Sequence, residues 1–278
     1  MIKQGIFENI FVIPIVNVLM VFYGAFNAVS LPGAFGLAIV ALTVAIRLAL
    51  HPLFVKQLTT QKKMQELKPQ LDTIQAKYKE SPQKLQQAQM KLYKDAGLNP
   101  ASGCLPMLVQ FPLFIGLYQT LNSLLRNGTG VEVVKNINSL LYHPMLRIET
   151  LSTMFLGIDL AVTPAANGNA LYLSIPLATA ALQFWQTHET LKVTQTPKKD
   201  DAKLVEKKSR KKSKKEEPAK SSLGGDFQKA MNTQMKYVLP LMIGYFAYSL
   251  PVGLSLYWNI FAIFSIVQYR HMRPAHLK

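Results

Sequence analysis

Arg47 is the residue whose chemistry stands out. It lies in the run TVAIRLALHPLF and is the only Asp, Glu, Lys or Arg between residues 9 and 55. Nine residues separate it from Lys56, which in a helix is roughly 13 Å at about 1.5 Å per residue. A side chain that reaches about half that distance does not snorkel fully to a membrane surface. An arginine near the centre of a spanning helix costs about 2.5–3.5 kcal/mol on insertion scales. Residues of this kind face a bundle interior or a watery cavity and mark the path of a substrate. The simplest structural use is an ion pair, yet no apolar stretch of this chain carries an Asp or Glu. The guanidinium then needs water, polar side chains or lipid phosphate. That implies a hydrated groove inside the membrane, open on at least one side and suited to acidic or polar segments. Thr43, one turn earlier, either extends the polar stripe or bonds its own helix. His51, one turn later, is expected to meet water or backbone near the kink at Pro52. Gln183, Gln186, Tyr257 and Trp258 are the other amphipathic side chains deep in, or at the ends of, later apolar stretches. For the two aromatics the belts that flank most membrane helices are a sufficient account.

The elements that must position these residues follow from charge segregation. The 278 residues carry 31 Lys plus Arg against 15 Asp plus Glu, but none of these charges falls in 9–46, 96–125, 160–188 or 237–269. Each gap suffices for a hydrocarbon core, which needs roughly 20 apolar residues. Spans are expected at 35–55, 103–124, 169–187, 232–249 and 252–269, the last two parted by Pro251. Residues 6–26 are apolar enough to span, but Asn17, Gly24 and Asn27 fall near one helical face, which also suits a helix lying in the interface. The chain thus divides into an N-terminal helix (1–32), a first span (33–57), a hairpin (58–97), a second span (98–125), a loop (126–168), a third span (169–188), a basic loop (189–230), the fourth and fifth spans (231–270) and a tail (271–278).

Loop charge sets the expected orientation. Residues 56–95 hold nine Lys and four acids, and 189–229 hold thirteen Lys plus Arg and seven acids. Residues 126–159 hold three of each sign. Both lysine-rich loops and the C-terminus then face the cytoplasm and the neutral loop faces outside, so five spans start from an outside N-terminus. In the first basic loop Met64, Leu67, Leu71, Ile74 and Tyr78 follow a heptad seam. Ser81-Pro82 breaks it, and Leu85, Ala88 and Leu92 continue an apolar stripe to Gly97. This predicts an antiparallel helical hairpin with coiled-coil packing; a mere connector would need far fewer residues. The second basic loop, with Lys207, Lys208, Arg210, Lys211, Lys212, Lys214 and Lys215, has too few apolar residues to bury a core and is expected to be disordered. Two uses fit it: a solvated linker drawn to anionic lipids, or a tether for ribosomal RNA through phosphate contacts.

Catalytic chemistry has little support. Cys104 is the only cysteine, which excludes an internal disulfide or a cysteine metal cage. The N-terminus lacks a small-residue cleavage site and is expected to be retained. No G-x-x-x-x-G-K-[ST], H-E-x-x-H or G-x-S-x-G occurs. The expectation is a protein that is not an enzyme and uses no cofactor and no metal.

The order of motifs is specific. T-x-x-x-R and then x-P-L precede a basic segment with L-K-P-Q-L, followed by L-N-P-x-x-G-C-L-P-M-L-x-Q-F-P-L-F at 98–114. Next come F-L-G-I-D-L, an apolar stretch ending in F-W-Q, and P-V-G-L-S-L-Y-W-N-I-F. Across about residues 6–273 this resembles the YidC/Oxa/Albino membrane protein insertase family, in its compact bacterial form. The resemblance implies an all-α polytopic membrane protein with a five-transmembrane-helix core, an N-terminal interfacial helix and a cytoplasmic hairpin. Its groove would open to cytoplasm and lipid and close outside. Arg47 becomes the groove arginine and Thr43 the groove threonine, with Gln186, Tyr257 and Trp258 at polar and aromatic groove positions. The implied function is insertion and folding of nascent membrane proteins in the bacterial plasma membrane, alone or with the Sec translocon, with the ribosome and anionic lipids as further partners. Three departures stand out: no extra N-terminal anchor or large external domain, no lipoprotein cysteine, and a basic segment in the second cytoplasmic loop instead of a long tail. The rival functions are a small transporter or channel, for which internal repeats are expected and none is found, and a non-catalytic membrane tether for ribosomes, which has no use for a buried arginine.

Overall fold

The computed structural model describes residues 5–99, 111–112, 114–119, 131–194 and 234–271. Most of the second expected span and all of the lysine cluster at 207–215 lie outside the described residues.

A π-helical turn, Glu8–Val12, runs into α1, Ile13–Ala28. Pro14 follows the π-helical turn inside this continuous helix, where it has no backbone N–H to donate to the preceding turn. The chain reverses over residues 29–33, with Ser30 and Gly33 at positive φ (54° and 73°), and enters α2, Ala34–Ala49. The first expected span, 35–55, is not one helix. It stops at Leu50, and α3, His51–Glu66, leaves at 59°. Pro52 is the cause, because it removes a helical donor and its ring crowds the carbonyl one turn back.

The heptad seam expected over 64–78 is also interrupted. A break at Leu67 separates α3 from α4, Lys68–Lys77, whose first turn contains Pro69. After a turn at 78–81, α5 spans Pro82–Asp95 with Pro82 in its first turn. Helices α4 and α5 pack on each other and Leu71 is buried. Gly97 closes α5 at φ 66°, with Leu98 N–H donating to Tyr93 O and Gly97 N–H to Lys94 O. These are the two bonds of a Schellman stop, which favours glycine at its left-handed position.

Beyond the 111–119 segment come α6 (Val131–Asn138), a 3₁₀ turn (Pro144–Leu146), the antiparallel strands β1 (Met154–Phe155) and β2 (Ile158–Asp159), and the short α7 (Pro164–Asn167). Helix α8, Ala170–Thr194, runs well past the expected end at 187. Charge limits how far a helix crosses hydrocarbon but does not stop its backbone ladder, so α8 continues through Glu189 and Lys192. A π-helical turn, Gln234–Val238, leads into α9, Leu239–Ser249, and after Pro251 the chain forms α10, Val252–His271.

Helix α10 packs against both α2 and α8, α9 packs along α8, and α1 packs on α2. Gly244 of α9 allows the closest approach, since a Cβ there would lie 2.8 Å from the Ala180 Cβ of α8. Glu8–Ala28 and Val252–His271 are each long and apolar enough to cross a membrane. The bent pair of α2 with His51–Met64 meets the same condition if taken as one span.

The neutral segment between residues 126 and 168, expected only as a loop, has its own architecture. Buried Asn17 in the middle of α1 donates to Leu140 O (2.9 Å) and accepts from Tyr142 N–H (2.7 Å). Further along α1, Tyr23 OH donates to Thr150 O (3.3 Å). Asp159 Oδ1 accepts from Thr153 OH (2.6 Å) and from Ala161 N–H (3.0 Å), while Asp159 N–H donates to the Tyr172 hydroxyl of α8 (2.9 Å). Val252 and Gly253 N–H, at the start of α10, donate to Val162 O and Leu160 O. Those are orphan donors of a helix N-terminus, satisfied here by backbone rather than water. The Phe155 ring sits against Gly33 and Gly36 of α2, at a position where any side chain on Gly36 would overlap it. Residues 151–162 thereby form a cap over the end of the bundle where α2, α8 and α10 all begin.

Candidate functional site

Arg47 is 8% exposed and meets the middle of α10. Its Nη2 donates to Phe261 O (3.1 Å) and to Ser265 Oγ, and Ser265 Oγ donates in turn to Phe261 O (2.8 Å). The guanidinium carbon lies 3.7 Å from the centre of the Phe261 ring, with Phe54 and Phe264 at 5.5 and 5.9 Å. A guanidinium over a ring face is attracted by the ring quadrupole, more strongly when water is excluded. Phe261 stands nine residues after Val252 and ten before His271, about 14 Å from either end of α10. The cation is therefore central, and no Asp or Glu pairs with it among the described residues. Of the three expected sources of solvation, water, polar side chains or lipid phosphate, the structure shows a polar side chain, Ser265, and adds two that were not expected, the Phe261 carbonyl and its ring. Its Nε, by contrast, is buried with no protein partner among the described residues.

The other expected site residues fall around this point. Thr43 is buried and donates to Ile39 O (2.7 Å), so its hydroxyl bonds its own helix. His51 does not rest on water or backbone alone: its Nδ1 lies 2.8 Å from Gln268 Nε2 of α10. Because the amide nitrogen donates, that ring nitrogen accepts. Tyr257 is buried and its ring lies 6.2 Å from Phe261, beside Arg47. Trp258, the next residue, points elsewhere and stacks on Phe114 at 5.5 Å and 12°. Gln186 sits on α8, its buried Oε1 without a protein partner among the described residues. The structure thus places Arg47, Tyr257 and Phe261 together at the α2–α10 contact, whereas Trp258 turns to Phe114 and Gln186 lies on α8.

A second polar feature was legible only in part. Thr179, Gln183 and Gln186 recur at spacings of four and three on α8, and Ser255 and Asn259 at four on α10, the signature of facing helical stripes. Gln183 Nε2 reaches Trp258 O (3.4 Å). Thr179 Oγ1, Gln186 Oε1, Ser255 Oγ and Asn259 Oδ1 are buried without protein partners among the described residues, as are Gln119 Oε1 and Gln268 Oε1. Buried polar atoms are normally satisfied by protein or ordered water. A row of this kind inside apolar helices is a place that water or a polar chain can occupy. Ser265, Phe261, Ser255 and Asn259 were missed because a lone Ser, Phe or Asn in an apolar stretch is unremarkable. The four-residue spacing of Ser255 and Asn259 was the available signal.

At the far end from the cap, Tyr269 packs on Phe54 (5.2 Å) and Leu58, Arg270 lies over Trp185 (5.1 Å), and buried Glu189 is 3.4 Å from Lys192 Nζ. This ties α3 to the ends of α8 and α10.

Apolar helices long enough to span, with an arginine and several polar atoms buried among them, define a helical membrane protein. The chain belongs to the 60Kd inner membrane protein family, whose model matches residues 26–276. It is 32% identical over 271 residues to the membrane protein insertase YidC of Oceanobacillus iheyensis, covering 94% of this chain and 82% of that protein. It is 31% identical over 261 residues to the inner membrane protein ALBINO3 of Arabidopsis thaliana chloroplasts, covering 92% of this chain. The chain spans only about half the length of that plant relative, 50%. Among solved structures, the crystal structure of an active YidC insertase with its first transmembrane domain resolved has a similar fold. Its TM-score is 0.51 at 23% identity, over 97% of this chain and 48% of that one.

Proposed function

We propose that this protein is a membrane protein insertase and chaperone that acts without nucleotide in a bacterial plasma membrane. The observation that carries the proposal is Arg47, in the last turn of α2 and against the middle of α10, with no acidic partner among the described residues. Moving a polar tail across a bilayer is slow because desolvation of its peptide and charged groups is costly. Partners inside the membrane lower that barrier. Arg47, Thr43, Gln186, Tyr257 and Trp258 line the proposed groove, with Arg47 attracting acidic tails and the other polar groups and their water hydrating the chain. Apolar spans then leave sideways into lipid. The names of the bacterial relatives support the same assignment.

The common start of α2, α8 and α10 at the cap supports a five-span bundle entered from outside, with the second span and α9 running the other way. The cap would be extracytoplasmic, and α3 to α5 a cytoplasmic hairpin. Contacts of α1 with the neutral segment, of Asn17 with Leu140 and Tyr142 and of Tyr23 with Thr150, favour α1 lying along the outer interface rather than spanning.

The test is reconstitution. Purified protein in liposomes should raise protease-protected insertion of a small single-span substrate with an acidic tail several-fold above protein-free vesicles, and co-reconstituted Sec complex shows whether the two cooperate. Insertion no better than in empty vesicles, together with ion conductance, would instead favour a channel.

The lysine cluster at 207–215 is proposed to hold ribosomal RNA and anionic head groups. Deleting residues 198–220 should weaken ribosome co-sedimentation, and binding by the intact protein should fall steeply with salt, because counterion release drives such contacts. Unchanged affinity would return the segment to the role of linker.

A further inference from the structure

The cap carries a feature that groove and insertion chemistry do not use. Strands β1 and β2 are joined by Leu156 and Gly157, both at positive φ (50° and 81°). A two-residue hairpin turn of this type favours Asn-Gly, because an L-residue with a bulky side chain is strained in the left-handed region. Here the strained position holds a leucine that is 85% exposed. A strained backbone that holds an apolar side chain out in the open is a candidate for function rather than for folding.

A second apolar tip adjoins it. The α1–α2 turn exposes Val29 (66%) and Leu31 (42%), and Met154 of β1 is 48% exposed. The two tips meet at Gly33, where a Cβ would lie 3.4 Å from Phe155 Cα and 3.5 Å from Met154 O. No Asp, Glu, Lys or Arg occurs in residues 9–46 or 150–158, and the first charge after the latter is Asp159, paired across from Met154. The patch is continuous with the beginning of α2, whose sides would face lipid.

We infer that Val29, Leu31, Met154 and Leu156 form a wedge that inserts into the shallow acyl region of the leaflet on the cap side of the membrane. The occupant is lipid rather than a protein partner, because the patch lies at the end of a helix proposed to span, and the one charge paired across from it, Asp159 opposite Met154, has its Oδ1 taken up by Thr153 and Ala161. The wedge would hold β1 and β2 at the membrane surface, so that Phe155 stays seated on α2 and the cap stays closed. Its outer placement rests on the five-span topology proposed above.

The test uses the full chain with Cys104→Ser and a single cysteine in place of Leu156, labelled with an environment-sensitive fluorophore, in phosphatidylcholine vesicles. Emission should shift to the blue and be quenched more strongly by lipids spin-labelled at carbon 5 than at carbon 12. A probe at Glu149 should stay water-like. A probe at Val29 reports the second tip without altering the turn, and Leu156→Asn in that background should keep the fold, since Asn tolerates positive φ, while reducing the quenching at Val29. Water-like, unquenched emission at both Leu156 and Val29 overturns the wedge, including the case in which a purified membrane protein then shifts it. Sidedness is read separately in intact cells. An impermeant thiol reagent should label a cysteine at Glu132 and not one at Lys84; the reverse pattern sinks the topology, while depth quenching alone decides the wedge.

Discussion

Arg47→Ala is expected to reduce insertion of substrates with acidic tails by roughly tenfold or more, the equivalent of about 1.4 kcal/mol of lost attraction. Arg47→Lys should retain much of the activity, because a cation remains within reach of Phe261 O or Ser265 Oγ. It should not be fully equivalent, since an ammonium cannot lie flat over the Phe261 ring and bond both oxygens as the planar fork does. Arg47→Glu should do worse than alanine through repulsion of acidic tails and a buried carboxylate facing a carbonyl. Arg47→Met is the informative control: it keeps a long stem between α2 and α10 while removing the charge. If charge is the active ingredient, Met and Ala variants lose acidic-tail substrates alike and spare neutral-tail substrates. Equal losses for acidic and neutral tails at unchanged protein levels would defeat the electrostatic step. A Met variant that inserts acidic tails normally would make Arg47 a packing residue.

The second large effect is expected at the cap. Gly36→Leu places a side chain where the Phe155 ring lies. Overpacking of this kind costs typically about 1–3 kcal/mol. Because Phe155 anchors β1 to α2, the strain should lift the cap rather than spread through the helices. The expected results are a thermal midpoint in detergent several degrees lower and faster hydrogen exchange at Ala161 and Gly253. Phe155→Ala in the same chain should restore much of the loss, because the leucine then fills the space the ring vacates. A coupling of about 1 kcal/mol or more between the two positions is the mark of direct contact. If Gly36→Leu melts like the parent and leaves cap exchange unchanged, Phe155 is not the anchor.

The elements that sequence made visible are those written in local chemistry. The breaks at Pro251, at Ser81-Pro82 and at Gly97 were legible because proline removes a backbone donor and glycine accepts positive φ wherever the chain goes. Arg47 was equally plain, since a charge inside an apolar stretch must be solvated by something. The bend at Pro52 was anticipated only as a kink. Its 59° turn, which sends α3 away from α2, sets Phe54 and Leu58 against Tyr269, a contact no local rule gives.

The identity of the partners came from long-range packing. No spacing rule links Arg47 to Ser265, 218 residues later, or Asn17 to Tyr142, 125 residues later. Those pairs exist because α10 packs between α2 and α8, and because the neutral segment folds back across α1. That segment was the largest gap: its pieces are short and of mixed polarity, so sequence showed a loop of balanced charge where folding builds a cap. The amino-acid sequence determined that a cation would lie deep in an apolar bundle. Tertiary packing determined that it would rest on a phenylalanine face and a serine rather than on water alone, because long-range neighbours, unlike propensities, are set by how whole helices fit.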